Sequence, residues 1–218
     1  MPSLTFEVAA SGDDGHVRKF DSVYPPAASE DIVITGTVMS AYKAFTSPTY
    51  HLTCGLMRWD TASIPDDATI TQATLRIRVD GRVSPDARDF TAEWYSWTPP
   101  ITGSYWTSTV GTNAHAGTSI TALTASADND LALLDPGANI DKTGYTGIRI
   151  HTSGGSPTGA NFADIATFDH ATLLAPRLIV DYEEPAILQV FQSRVPMPMM
   201  GVPDQDRIMR MHGRTLGS

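Results

Sequence analysis

The chain has 218 residues, 41% hydrophobic and 18% charged, with 17 serines and 26 threonines; there is enough apolar material for a core, in a Thr-rich, Gly- and Pro-punctuated composition that favours β structure over disorder. Its 15 basic against 24 acidic residues leave a net charge of −9, which disfavours sequence-independent nucleic-acid binding and attachment to anionic lipid. No apolar run reaches the roughly 18 residues of a membrane span, the start Met1-Pro2-Ser3-Leu4-Thr5-Phe6-Glu7 lacks the basic and apolar regions of a secretory signal, and the single Cys54 has no disulfide partner, so folding in a reducing cytoplasm is expected.

Taken in chain order, the first signal is a Gly-flanked turn, Ser11-Gly12-Asp13-Asp14-Gly15-His16. Residues 31–40 are rich in Ile, Val and Thr and predict a strand. The next, Leu52–Asp60, ends with Met57 and Trp59 on one face and holds Cys54, whose place predicts an inert core thiol. The clearest segment is Ala73–Val79: Ala73, Leu75, Ile77 and Val79 alternate with Thr74, Arg76 and Arg78, as a strand with one wet face requires. Asp80-Gly81 then predicts a turn. In residues 90–97, Phe90, Ala92, Trp94 and Ser96 alternate with Thr91, Glu93, Tyr95 and Trp97. Further strands are predicted at 119–123, 131–134, 145–151, 161–168 and 177–182. The Gly/Ser-rich stretch 152–159 reads as a long surface hairpin, with no lysine following to make it a phosphate cradle.

No segment carries an amphipathic helical stripe over three turns, and no repeat of 20–50 residues is present. Eight or more short antiparallel strands predict an all-β fold, an antiparallel two-sheet β-sandwich of the jelly-roll kind, over residues 1–185. Residues 186–218 read as an irregular C-terminal docking tail. They hold five of the eight methionines and the helix-breaking run Val195-Pro196-Met197-Pro198-Met199-Met200-Gly201-Val202-Pro203. Four arginines against two aspartates give this tail +2 and leave −11 on the remainder. Phe191, Met197, Met199, Met200, Arg207 and Arg210 are its expected contacts with a partner, through adaptable apolar and cationic side chains.

Catalytic signatures are absent: there is no G-x-S-x-G, H-E-x-x-H or G-x-x-x-x-G-K-[ST]. Asp164, Asp169 and His170 are the one candidate acid/base group, and more simply solvated turn residues, so the chain is expected not to be an enzyme, with a glycan hydrolase as the remote alternative. Trp94, Tyr95, Trp97, Tyr105 and Trp106 are the aromatic candidates for stacking on a sugar. Trp97 and Trp106 are expected to be the exposed pair, with Tyr105 beside them, against the alternative of ordinary packing. Asp13-Asp14, or Asp128-Asn129-Asp130, offers oxygen ligands suited to calcium, although Asp and Asn also favour turns for their own sake.

One stretch resembles a known family. Leu56-Met57-Arg58-Trp59-Asp60, Ser63-Ile64-Pro65 and Ala68-Thr69-Ile70-Thr71-Gln72-Ala73-Thr74-Leu75 are similar to the shared pattern of the DNRLRE-type modules. These modules resemble carbohydrate-binding jelly rolls and occur in bacterial surface and phage virion proteins. Ala175-Pro176-Arg177-Leu178-Ile179-Val180-Asp181-Tyr182 resembles their closing strand, and Ser11 to His16 the first turn of phage relatives. Where the family has a charged triplet, this chain has Asp169-His170, so no ligand contact is carried over from that position. The resemblance implies a jelly roll, with a structural calcium as a further possibility and otherwise no cofactor. It also implies a virion structural protein, a minor tail or head-surface decoration protein, folded in the host cytoplasm. Its expected partners are other virion proteins, held through the tail in an oligomeric assembly, with no membrane insertion. Recognition of a host-surface glycan is the alternative.

Overall fold

In the computed structural model, residues 1–27, 29–108 and 111–185 are described. The docking-tail contacts expected at Phe191, Met197, Met199, Met200, Arg207 and Arg210 lie outside the described residues. Met1–Pro185 forms one compact unit. Its strands are β1 (Ser3–Glu7), β2 (Asp14–Asp21), β3 (Ser29–Val33), β4 (Val38–Thr46), β5 (Thr49–Asp60), β6 (Thr69–Val83), β7 (Asp89–Trp94), β8 (Asn113–Ser119), β9 (Asp128–Ala132), β10 (Tyr145–Thr152), β11 (Asn161–Ala166) and β12 (Arg177–Glu183). One four-residue helix, α1 (Pro136–Asn139), joins β9 to β10.

Every strand pair is antiparallel. The strands form a hydrogen-bonded path β1-β12-β6-β11-β4-β5-β10-β7-β8, with β2 and β3 attached through β5 and β9 through β6. The all-β antiparallel class is as expected. The curled sheet is consistent with a β-sandwich, and its strands are joined in one path because β5 and β6 are long enough to change partners along their length. One edge of β5 pairs with β2 over Tyr50–Met57. The other edge pairs with β4 over Thr49–Thr53 and with β10 over Gly55–Asp60. The sheet therefore curls around its contents and forks at residue 54.

Alternation fills the inside of the curl. Met57, Trp59, Leu75, Ile77, Phe90, Ile148, Ile150, Ile165, Leu178 and Val180 are all buried in one cluster, as period-two side chains on an inner face must be. Trp59 is 1% exposed, and its indole N–H donates to Pro176 O at 3.0 Å, so the aromatic body is buried without stranding its donor. Ile64 is buried in the turn after β5, and the hydroxyl of Thr61 ties that turn to the segment before β10.

Several local expectations are corrected. Residues 31–40 are not one strand: β3 ends at Val33 and β4 starts at Val38. Asp80-Gly81 does not turn the chain; β6 continues through it, and the register with β11 slips between Asp164↔Gly81 and Ile165↔Val79, a bulge that absorbs Asp80. β8 comes earlier than expected, ending at Ser119. The 152–159 loop is organised by the buried Arg88, whose guanidinium donates to the carbonyls of Ser153, Gly155 and Ser156. Carbonyls gathered on a cation are the reverse of a phosphate cradle, which presents amides.

Candidate functional site

The strands β2, β5, β10 and β7 have an outer face as well as a core face, and residues 95–108 together with 111–112 run over it. A second apolar cluster forms there from Val17, Leu56, Trp97 and Ile101, with Tyr95, Tyr105 and Trp106 packed against it. Gly147 makes this approach possible: a Cβ there would stand 2.3 Å from Tyr95 O and 3.0 Å from the Trp97 ring. The indole N–H of Trp106 donates to Leu52 O at 3.2 Å, and the Tyr105 hydroxyl donates to Thr98 O at 2.8 Å.

This placement corrects the expected glycan platform. Trp97 is 5% exposed, sealed between the loop and the sheet with the Arg58 guanidinium 5.5 Å from its ring. Tyr105 and Trp106 are half-buried, and Lys19 stands over the Trp106 ring. The loop is clamped to the sheet by its aromatic residues. The exposed aromatic beside it is Tyr145, 42% exposed, at a cleft of about 310 Å³ lined by Tyr95, Ser96, Asn139, Asp141 and Thr146.

Next to the aromatic cluster lies a row of buried polar groups that sequence reasoning missed. Glu93 on β7, Arg149 and His151 on β10, and Cys54 on β5 share the outer face. Glu93 is 1% exposed; its Oε1 accepts from Arg149 Nε at 2.5 Å and from His151 Nε2, and its Oε2 accepts from the Gly111 amide. Arg149 Nη1 also donates to Tyr105 O at 2.5 Å, and its guanidinium lies 3.7 Å from the Tyr95 ring centroid. The other ring nitrogen of His151, Nδ1, is 3.5 Å from Cys54 Sγ.

Burial alone would raise the Glu93 carboxyl, but hydrogen bonds from His151 and Arg149 outweigh it and hold the group at about 2. Burial opposes the charged form of His151 as well; the charge and hydrogen bonds of Cys54 and Glu93 prevail and push it up to about 9. The only sequence signal for this row was parity. Glu93 and His151 occupy the positions facing away from Ala92 and Ile150, and nothing in the sequence says that a loop will cover them.

The cysteine borders a cavity of about 240 Å³ at the fork of β5, whose lining includes Tyr42, Lys43, Thr107, Ser108 and His151. Cys54 is buried, as expected, but its surroundings are not those of an inert core thiol. Lys43 is 5% exposed and donates to Gly154 O at 2.5 Å. Burial, then the nearby positive charge of Arg88, brings its ammonium down to about 8.

The expected calcium ligands are occupied otherwise. Asp13 accepts from Arg58 Nε at 2.7 Å, which supplies the compensating positive charge. Asp14 is fully buried, accepts from the Phe168 amide, and is raised to about 7 chiefly by burial. With Asp13 held by Arg58 and Asp14 by the Phe168 amide, the pair leaves few free oxygens toward the roughly six to eight that calcium takes. Asp128 and Asp130 lie in β9 with their carboxylates on Arg76, Arg78 and Arg177. Among the described residues no group of three or more His, Cys, Asp or Glu side chains is arranged to hold a metal ion.

Nor does the other expected polar group assemble. Asp164 accepts from Ser40, whereas Asp169 accepts from Ser11 and His170 accepts the amides of Thr172 and Leu173. The three are engaged separately: Asp164 on β11, between β4 and β6, and Asp169 and His170 in the segment after it. No family model matches the chain, and no curated protein matches it.

Proposed function

We propose that the chain is a structural and adhesion module of a bacteriophage particle, a jelly-roll-type body anchored to tail or capsid proteins through residues 186–218. In this reading it folds in the host cytoplasm and works in an oligomeric assembly on the virion. The observation that carries it is where the family-like residues fall. Arg58-Trp59-Asp60 end β5, Ile64 makes the buried turn, Ala73 and Leu75 face the core from β6, and Arg177–Tyr182 close the body between β6 and β1. The resemblance thus lies in the framework, which supports a shared fold type and the settings in which it is used. The charge contrast between the acidic body and the +2 tail supports the anchoring role. Deleting residues 186–218 is expected to leave the body folded, with an unchanged circular-dichroism spectrum, and to abolish its incorporation into particles. Full incorporation of the truncated protein overturns the reading.

Glycan recognition is a second reading, and the Tyr145 cleft favours it. There a partly exposed ring, with the Arg58 guanidinium stacked 3.9 Å from its centroid, stands beside Asn139, Asp141 and Ser96, so its remaining face adjoins polar groups of the kind that hold a sugar. Tyr145→Ala is expected to abolish binding to host-surface glycan. Trp106→Ala is expected to loosen the loop and lower stability. Glycan binding that survives Tyr145→Ala removes this reading.

A further inference from the structure

We propose that the cavity at the fork of β5 is a nucleophilic-thiol site, at which Cys54 takes an acyl group from a small ester or thioester with His151 as the proton acceptor. This inference is independent of the virion reading, and it asks for a single covalent capture, which a structural protein can perform.

The argument starts from topology. Cys54 lies at the step where the edge of β5 passes from β4, paired to residue 53, to β10, paired from residue 55. The two strands diverge there, so the side chain at 54 borders a gap where the neighbouring positions border a continuous sheet. His151 comes directly after the last β10 residue paired to β5, Ile150, and its ring reaches back to the sulfur. Among the described residues, His151 is the one histidine with sulfur at one ring nitrogen and a carboxylate at the other.

That order, thiol to Nδ1 and Nε2 to a buried carboxylate, is the constellation that activates a nucleophile. Glu93 holds the ring through Nε2 and is itself fixed by Arg149 and the Gly111 amide, so it is a positioning residue. With its pKa at about 9 the ring carries its own proton at neutral pH, so it takes the thiol's as that proton is lost with rising pH. Cys54 Sγ also lies 3.2 Å from Thr107 O, to which the thiol donates; its one proton serves either that carbonyl or His151. Lys43 lines the same cavity and donates to Gly154 O; the remaining N–H bonds of its ammonium can turn toward a carbonyl oxygen on which negative charge develops.

In the proposed step the Sγ–C bond forms at the carbonyl carbon and the C–O or C–S bond to the leaving group breaks. The thiol proton passes to His151 Nδ1 and from there to the leaving oxygen or sulfur. No oxidant or reductant is involved.

The test uses the full chain and p-nitrophenyl acetate between about pH 6 and 9, following nitrophenolate release and locating the acetyl group by peptide mass mapping. The expected result is acetylation of Cys54 in the native protein about tenfold faster than in the same chain unfolded in urea at the same pH, because the fold holds His151 against the thiol and Lys43 beside the cavity, and the unfolded chain has neither in place. Folded His151→Gln is expected to lose at least about tenfold of that rate. Glu93→Gln is expected to move the rate-versus-pH profile to lower pH, since the imidazolium without its anion gives up its proton more readily, and a purely structural role would not move that profile. Native Cys54 reacting no faster than the unfolded chain, or equal rates in folded His151→Gln, overturns the proposal and leaves the cluster as buried packing. Should either variant fail to fold, the native-against-unfolded comparison in the unmodified chain decides alone.

Discussion

On the inner face of β10, Ile148 and Ile150 meet Met57 and Ala92 across the sheet in an all-apolar core. One residue along, on the outer face of the same strand, Arg149 and His151 share the carboxylate of Glu93 under a loop of aromatic side chains. Both faces are buried, yet they hold together differently. The inner face gains from removing apolar area from water and depends on shape. On the outer face, charges have been taken out of water, and each is tolerable only while its partners stay in place. A loss on the inner face is a cavity, whereas a loss on the outer face is an uncompensated charge.

The largest expected effect breaks the inner face. Trp59→Ala removes the largest fully buried side chain and leaves Pro176 O without its donor, at a cost of about 5 kcal/mol, the upper end for such truncations; urea unfolding monitored by circular dichroism measures it. The matching change on the outer face is Glu93→Ala. It strands Arg149 and His151 and frees the Gly111 amide, with an expected cost of about 3 kcal/mol. The two losses should also differ in kind: the Glu93→Ala deficit should shrink at high pH, where His151 becomes neutral, whereas the Trp59→Ala deficit should not change. Equal pH dependence of the two would erase the distinction.

Titration of the unmodified protein sharpens the comparison further. Glu93 falls from an ordinary 4.5 to about 2 in the fold, so its contribution is present above pH 4.5 and lost as pH falls toward 2. His151 rises from 6.5 to about 9, so its contribution is present below pH 6.5 and lost as pH rises through 9. Asp14, raised from 3.8 to about 7 by burial, costs stability as pH climbs through that interval, because the folded protein holds a proton that the unfolded chain releases. Together these place maximum stability in acid solution, at about pH 4, where the rise due to Glu93 meets the fall due to Asp14. Urea midpoints against pH check this. Asp14→Asn should flatten the decline up to about pH 7 and leave the later decline, due to His151, in place.

The smallest effect is expected outside both buried regions. The ladder of Arg76 with Asp130, and of Arg78 and Arg177 with Asp128, is partly exposed to solvent, most of all at Arg76 and Asp130. Arg76→Ala should cost about 0.5 kcal/mol and be insensitive to the state of the outer-face cluster. A cost several times larger would mean that this ladder belongs to the cooperative buried set.

Much of the strand framework was legible in the residues. Alternation in Ala73–Val79 identified both faces of β6, and Trp59, Leu178 and Val180 fell into the core as their patterns required. What the pattern missed was set by neighbours distant in the chain. Asp80-Gly81 has turn chemistry, but pairing with β11 carries β6 through it as a bulge. Trp97 and Tyr105 have the composition of an exposed sugar platform. They are covered because the chain after Trp94 folds back over Val17 and Leu56. β1 alternates Leu4 and Phe6 with Ser3, Thr5 and Glu7 and pairs with β12, whereas β2, with its charged run Arg18-Lys19, takes its place from pairing with β5.

The amino-acid sequence by itself determined the β class, the inward-facing set of most strands and the change of character near residue 185, because period-two hydrophobicity and turn chemistry act over a few residues. Only the tertiary structure decided which outward-facing groups meet. Cys54 and His151 are 97 positions apart and His151 and Glu93 are 58 apart; strand register and the fork in β5 bring them together. A sequence records which way each side chain leaves its strand, and long-range pairing alone settles whether water, a loop or another charge lies on that side.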